Sequence, residues 1–350
     1  MNIISDFAQD IQTSKPVPGS YEWWYFDVMS ANGVNLVVIF YEGNPFSSRY
    51  IQSLNNDSGE TAGNFPAISI AVYTEGKPLY YGFVEVLPEQ AFFSASEPKG
   101  NTGNSSFHGS RQGGRLIYTL ELNQTLINGD SISGKLIFES PENVVFDTMP
   151  ADSGHTWNLV QPKSIVSGKI KISGTVEKEV RVNGTGYHDH NSGTEPLKES
   201  FDEWYWGRYH FDDLTMIYYL IRTDDEWEKK AWLIYDEGMV SECSHIHSQD
   251  STLTIFGLRS SKKMDFAGEK FRAFLQKNVL LDNGPFYQRF EGRMILEEGK
   301  EMKQAKGISE YLCPHRIYNK LFWPLVNMRI RYPGKEHWVQ KNPKLYRWTW

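Results

Sequence analysis

The sequence predicts an all-β fold of two antiparallel barrel- or sandwich-like units in tandem, and three observations carry that prediction. Short runs of β-branched and aromatic residues, bounded by Gly, Asn, Asp and Pro, recur along the chain, while helical periodicity is scarce. Aromatic residues make up 14% of the chain, and such side chains suit a pleated, half-buried surface. At 350 residues the chain exceeds the ~250–300 residues at which a single hydrophobic core stops growing, so two cores are expected.

In the first half, strands are predicted over residues 35–41, 67–74, 79–87, 115–123, 134–139 and 168–182. Turn signals separate them at Ala31-Asn32-Gly33, Glu75-Gly76-Lys77-Pro78, Asn128-Gly129-Asp130 and Asn183-Gly184. Residues 100–114, rich in Gly, Ser and Asn, read as a long loop. In the second half, strands are predicted over 215–222, 230–235, 252–258 and 289–296. The boundary is placed near Thr194 to Ser200, where Gly193, Pro196 and a polar stretch precede a fresh aromatic run. The expected domains are therefore 1–197 and 198–350, the second ending in a basic aromatic tail.

Charge and composition narrow the function. A formal charge of −7 argues against nucleic acid, whose phosphates need a basic surface, and favours a hydrophobic small molecule as partner. Cys243 and Cys313 are too few for a disulfide framework, the first 18 residues lack a signal peptide's basic start and apolar stretch, and no run of 18 apolar residues occurs. A cytoplasmic location is expected. No sequence signal specifies an oligomeric state.

Residues 318–350 carry Lys320, Arg329, Arg331, Lys335, Lys341, Lys344 and Arg347 against Glu336 alone, a net +6 that leaves −13 to the rest. Phe322, Trp323, Tyr332, Trp338, Tyr346, Trp348 and Trp350 are interleaved with them. Two expectations follow: peripheral contact at the inner membrane surface, or docking of the rings on the second domain with the basic groups turned to the acidic remainder.

Three clusters place ionisable groups among large rings: Tyr21 to Asp27, Gly186 to Asn191, and Asp202 to Tyr209. If the middle one is extended, Tyr187, Asp189 and Asn191 share one face and His188 and His190 the other. By the same rule Glu22, Trp24 and Phe26 oppose Tyr21, Trp23 and Tyr25, and His155 aligns with Trp157. A carboxyl group in an apolar pocket favours its neutral form, which makes Asp189 a candidate proton donor. Trp157, Tyr187, Trp24 and Trp206 are rings able to stabilise a carbocation. Asp189 also reads as a plain turn or cap residue after Gly186.

Other chemistries find less support. His188 with His190 and His245 with His247 have strand spacing for zinc, but two distant pairs would have to converge, and no metal is expected. There is no Gly-X-Ser-X-Gly elbow, Walker loop or dinucleotide-binding glycine run. Asp202 and Glu203 are adjacent, so an extended strand turns them to opposite faces.

With these residues the sequence resembles the carotenoid 1,2-hydratase family, also called hydroxyneurosporene synthases, a lipocalin-like group related in fold to decalin-forming Diels–Alderases. The resemblance rests on Tyr21-Glu22-Trp23-Trp24-Tyr25-Phe26, Gly186-Tyr187-His188-Asp189-His190-Asn191 and Trp204-Tyr205-Trp206-Gly207-Arg208, in that order over the first two-thirds of the chain. It implies two lipocalin-like units and a reaction that needs no cofactor. It also implies that Asp189 protonates a terminal double bond, that Tyr187 and Trp157 shield the cation, and that His155 positions or deprotonates water. Glu22, Trp24, Asn191, Trp204, Trp206 and Arg208 would bind substrate. The family often carries a tryptophan after the asparagine, where this chain has Ser192. Three functions stay open: a hydratase or cyclase acting on an apolar olefin, a pericyclase on the same scaffold, and a non-catalytic lipophile carrier.

Overall fold

Chain reversals in the computed structural model, which describes residues 1–142 and 154–350, fall where the backbone is free to turn. Glu75 and Gly76 both adopt positive φ, +50° and +73°, the pairing that matches a two-residue hairpin to the twist of its strands. The chain divides into two units, Met1–Ser200 with Lys320–Trp350, and Phe201–Asn319.

The first unit opens with β1 (Asn2–Ile4), β2 (Tyr21–Ser30) and β3 (Val34–Glu42), then α1 (Ser48–Asn55), β4 (Ala67–Thr74) and β5 (Lys77–Glu85). It continues through β6 (Ala91–Phe93), β7 (Lys99–Thr102), β8 (Ser105–Gln112), β9 (Arg115–Thr125), β10 (Ser131–Pro141), β11 (His155–Ser173), β12 (Lys178–Gly193) and the short α2 (Leu197–Ser200). The second unit holds β13 (Glu203–His210), β14 (Leu214–Thr223), β15 (Glu226–Tyr235), β16 (Val240–Glu242), β17 (His245–Leu253), β18 (Arg259–Ala267), β19 (Phe271–Asn283), β20 (Tyr287–Glu298) and β21 (Glu301–Leu312). The tail adds α3 (Trp323–Arg329), β22 (Ile330–Arg331) and α4 (Pro343–Arg347).

The first sheet runs β22-β5-β4-β3-β2-β12-β11-β10-β9-β8-β7-β6, with β1 pairing β11 off this path. Phe40 on β3 and Phe107 on β8 lie six strand steps apart, about 29 Å on a flat sheet at ~4.8 Å per step. Their rings are 5.1 Å apart, so the sheet curls and closes over an aromatic interior. Phe26 joins that interior, within 5.7 Å of Tyr118 and 5.6 Å of Phe138. The second sheet runs β16-β15-β14-β13-β21-β20-β19-β18-β17. Tyr218 on β14 and Phe266 on β18, five steps or about 24 Å apart if flat, meet at 5.2 Å, so this sheet curls as well. Its core gathers Tyr205, Tyr209, Met216, Phe266, Leu275, Met294 and Tyr311. Each unit is thus a curled antiparallel half-barrel, as the sequence predicts.

Several expectations need correction. Residues 168–182 are not one strand: β11 ends at Ser173 and β12 starts at Lys178, with Gly174 at φ +113° in the turn between them. Asn183-Gly184 is not a turn. Gly184 lies inside β12, where an added Cβ would sit 2.1 Å from the Met29 carbonyl oxygen, so glycine serves close strand packing there. The supposed loop over 100–114 contains the β7–β8 hairpin, and the strand expected over 252–258 is the end of β17 followed by a turn.

The domain assignment also changes, because the division falls after Ser200 and the tail returns to the first unit rather than the second. There β22 pairs in parallel with the edge strand β5, Ile330 opposite Phe83. Ser48 meets the Tyr332 hydroxyl at 3.0 Å, and the Arg329 guanidinium lies 4.7 Å from the Tyr81 ring centre. Tyr332, Val339 and Tyr346 are buried by this docking. Among the described residues no helix is long and apolar enough to cross a membrane.

Candidate active site

The strand β12 sits between β2 and β11, and its alternation serves two different surfaces. Register pairs Asp189 with Tyr25 on β2 and with Leu159 on β11, and Asn191 with Trp23 and Trp157. On the outer, convex face of the sheet this gathers Tyr187, Asp189 and Asn191 with Trp157, His155, Tyr21 and Trp23. All are buried despite lying outside the aromatic interior.

Asp189 is the centre of that group. Its Oδ2 accepts hydrogen bonds from Trp157 Nε1 at 2.8 Å and from the Tyr187 hydroxyl at 2.6 Å, and its Oδ1 accepts one from Asn191 Nδ2 at 2.9 Å. Burial disfavours charge on this carboxyl, and three donated hydrogen bonds favour it. Of the three partners, only the Tyr187 hydroxyl can accept without changing its orientation, so a proton on Oδ2 reverses that bond.

His155 stands on the same face, its Nδ1 2.9 Å from the Tyr21 hydroxyl. Burial pushes its imidazole down to about 3, aided by the charge of the Met1 amino group, with the nearby Asn191 amide pulling the other way. The ring is therefore neutral across the physiological range. Trp23 and Tyr21 stack at 5.3 Å, and Trp23 lies 6.1 Å from His155, so rings enclose the imidazole.

The opposite face of β12 points into the half-barrel and carries ions. His188 Nε2 meets Asp10 Oδ2 at 3.0 Å while its Nδ1 lies 2.9 Å from the Tyr25 carbonyl oxygen, which fixes a proton on Nδ1. His190 bridges Asp10 Oδ1 at 3.3 Å and Glu22 Oε1 at 2.8 Å. Tyr118 donates to Asp10, Thr13 donates to Glu22, and Lys15 pairs with both Glu22 and Glu42. Phe26 stacks on His188 at 3.9 Å and Trp24 on His190 at 4.6 Å. Burial lowers the His190 pKa, but the Glu22 and Asp10 carboxylates raise it by more, and the net shift is upward.

The structure thus brings together Asp189, Tyr187, His155, Trp157 and Asn191. It does not bring Glu22 and Trp24 to them: these occupy the ionic, inward face. Ser192 shares that inward parity, opposite Glu22, so the position where the family often carries tryptophan does not face Asp189. Trp204, Trp206 and Arg208 lie in the second unit on β13, alternating with the core residues Tyr205 and Tyr209, and all three are buried. His245 and His247 are exposed on β17. Sequence reasoning missed Tyr21 as the partner of His155 and Asp10 as the hub of the ionic face. Tyr21 was legible in principle, because it has the parity of Trp23.

The chain is similar to proteins of one family and to solved structures of the same fold. A family described as carotenoid hydratase CrtC matches residues 38–341. A hydroxyneurosporene dehydrogenase from Chlorobaculum tepidum is 29% identical over 362 residues, covering 96% of this chain and 94% of the relative. An acyclic carotenoid 1,2-hydratase from Rhodobacter capsulatus is 35% identical over 196 residues, 55% of this chain and 63% of the relative. The crystal structure of CghA shares the fold, with a TM-score of 0.62 at 12% identity over 89% of this chain and 97% of that one.

Proposed function

The chain belongs to the carotenoid hydratase CrtC family, and on that premise we propose that it is a hydratase-type enzyme that protonates an isolated double bond of an apolar, isoprenoid-like substrate and adds water to the cation. The observation that carries the reading is the convergence of Trp157, Tyr187 and Asn191 on the carboxyl of Asp189.

In this scheme Asp189 gives its proton to the less substituted carbon of the terminal double bond, leaves a tertiary cation at the other carbon, and becomes the carboxylate that its three donors stabilise. The positive charge develops beside the faces of Trp157 and Tyr187, each contact contributing roughly 0.5–2 kcal/mol. Water adds to the cation. The resulting oxonium is a far stronger acid than an imidazolium, so a weakly basic His155 suffices to take its proton, with the Tyr21 hydroxyl as the link. Return of that proton to Asp189 closes the cycle, and no cofactor enters the balance. Trp204, Trp206 and Arg208 are retained as substrate-binding candidates. Glu22 and Trp24 act from the inward face, through the position of β12.

The test is turnover of an acyclic carotenoid in D₂O and in ¹⁸O-labelled water. One deuterium on the carbon next to the carbinol carbon and one ¹⁸O in a tertiary alcohol are expected. A cyclised product without solvent oxygen would replace water with an internal nucleophile or a pericyclic reaction, and binding without conversion would leave a lipophile carrier.

The tail supports a route for such a substrate. With Tyr332 and Tyr346 buried, Leu321 at 75%, Trp338 at 67% and Trp348 at 90% relative exposure remain at the surface, beside the exposed Lys320, Lys335, Lys341 and Lys344. Apolar rings among lysines suit an anionic lipid surface, where each basic residue contributes about 1 kcal/mol.

A further inference from the structure

Lys277 stands out in the second unit as a buried cation with no acidic partner among the described residues. Along β19, Phe271, Ala273 and Leu275 point into the hydrophobic core, and Lys277 continues that buried series at 6% exposure. Its Nζ has no hydrogen-bond partner among the described residues. It lies instead 4.6 Å from the ring centre of Tyr205 and 4.9 Å from that of Phe290. Two other buried cationic side chains are paired: Arg289 with Glu310 at 2.8 Å, and Lys15 with Glu22 and Glu42. An amine left without a partner in an apolar interior is costly, which sets Lys277 apart from ordinary packing.

The surroundings describe what such an amine would meet. Tyr205, Phe290 and Tyr311 form an aromatic wall, with Tyr205 and Tyr311 at 4.6 Å. Trp227, 5.8 Å from Tyr205, is 38% exposed, so the wall reaches the surface. We propose that Lys277 is a carbonyl-binding site, whose amine condenses reversibly with the aldehyde group of an apolar chain held against the rings of Tyr205 and Phe290.

The step is a condensation without redox change. The amine lone pair attacks the carbonyl carbon, both N–H protons pass to the carbonyl oxygen, water leaves, and a C=N bond remains. When protonated, that imine is a cation placed over two aromatic faces. Burial lowers the Lys277 amine to about 7, so about half of it is an uncharged nucleophile at neutral pH. A lysine near 10.4 is uncharged in roughly one molecule in 10³ under the same conditions, so selectivity of about 10²–10³-fold is expected. The site lies in the second unit and is independent of the hydration reading.

The experiment treats the full chain at pH 7 with decanal and cyanoborohydride, which reduces any imine to a stable secondary amine, followed by intact-mass analysis and peptide mapping. One equivalent is expected on Lys277, at least 10²-fold faster than on other lysines and at least tenfold faster than with propanal. Lys277→Arg should abolish that adduct while keeping the native circular dichroism. The native chain decides by itself even if the variant misfolds: label spread over surface lysines, no label at Lys277, or equal rates for decanal and propanal would each overturn the proposal.

Discussion

Replacing Asp189 by asparagine keeps the shape of the side chain and leaves neither a carboxyl proton to give nor a carboxylate to hold charge. The carboxyl now accepts three hydrogen bonds, at 2.8, 2.6 and 2.9 Å. An amide oxygen turned to Trp157 and Tyr187 keeps two of them, and its NH₂ then faces the NH₂ of Asn191. Turning the Asn191 amide relieves that clash, since its Oδ1 accepts no well-formed hydrogen bond in the native arrangement. Bonds to a charged acceptor are worth ~1.5–3 kcal/mol and neutral ones ~0.5–1.5, so the exchange loses about 3 kcal/mol. Removing a buried charge returns a comparable amount. The melting temperature should therefore move by no more than a few degrees. Turnover should fall by about 10²–10⁴-fold, the usual contribution of general acid catalysis. The assay pairs conversion of an acyclic carotenoid with a thermal melt by circular dichroism. A loss below tenfold in a variant that melts like the parent would refute Asp189 as the proton donor.

Other perturbations read other parts of the structure. The folded His155 value of about 3 lies below the unfolded ~6.5, so the folded state binds fewer protons between them; stability is full above pH 6.5 and falls by up to ~1.4 kcal/mol per pH unit toward pH 3. His155→Gln should flatten that slope in urea titrations between pH 6.5 and 4, and an unchanged slope would contradict a buried neutral imidazole. In Gly193→Ala the new Cβ would lie 2.2 Å from Tyr21 Cζ, so the ring must leave His155; about 1–3 kcal/mol of stability and at least tenfold in turnover should be lost, and native turnover would remove Tyr21 from the scheme. Asp10→Ala takes the shared carboxylate from His188 and Tyr118 and leaves His190 with Glu22 alone, which should cost about 3–5 kcal/mol in a urea melt, whereas a loss under 1 kcal/mol would show the ionic face to be dispensable. The native chain should cosediment with anionic vesicles at low salt and detach at high salt, and Trp338→Ser with Trp348→Ser should weaken this at least tenfold; no binding at low salt would end the membrane reading.

Much of the outer face was legible because strand alternation is local. Period two alone places Tyr187, Asp189 and Asn191 together and sends His188 and His190 away, as observed. Alternation does not say which face of β2 accompanies which face of β12. Trp24 would stand opposite Asp189 if the pairing slipped by one residue, but the register sets Tyr25 there, and Glu22 and Trp24 turn inward. Asp10 was invisible for a different reason. It sits in a non-periodic segment 178 positions from its partner His188, so only the closed fold joins them. The tail misled through composition, since its rings and charges indicate docking but not on which unit. That choice rests on a two-residue pairing of β22 with β5 and on the contact of Ser48 with Tyr332, neither of which has a local signature.

The return of the tail imposes an order on biosynthesis. When β12 has left the ribosome, the nascent first sheet is complete except for the strand that caps β5. That cap follows only after the whole of Phe201–Asn319 has been translated, on the order of ten seconds at ~5–20 residues per second. For that interval β5 is an unpaired edge, with Phe83 and Tyr81 uncovered, the kind of surface on which neighbouring nascent chains add strands to one another. Chaperone demand, and any toxicity of premature stop codons, should therefore concentrate on products that end within the second unit. Truncation before Ile330 would release a chain that keeps the residues around Asp189 and lacks the cap on β5.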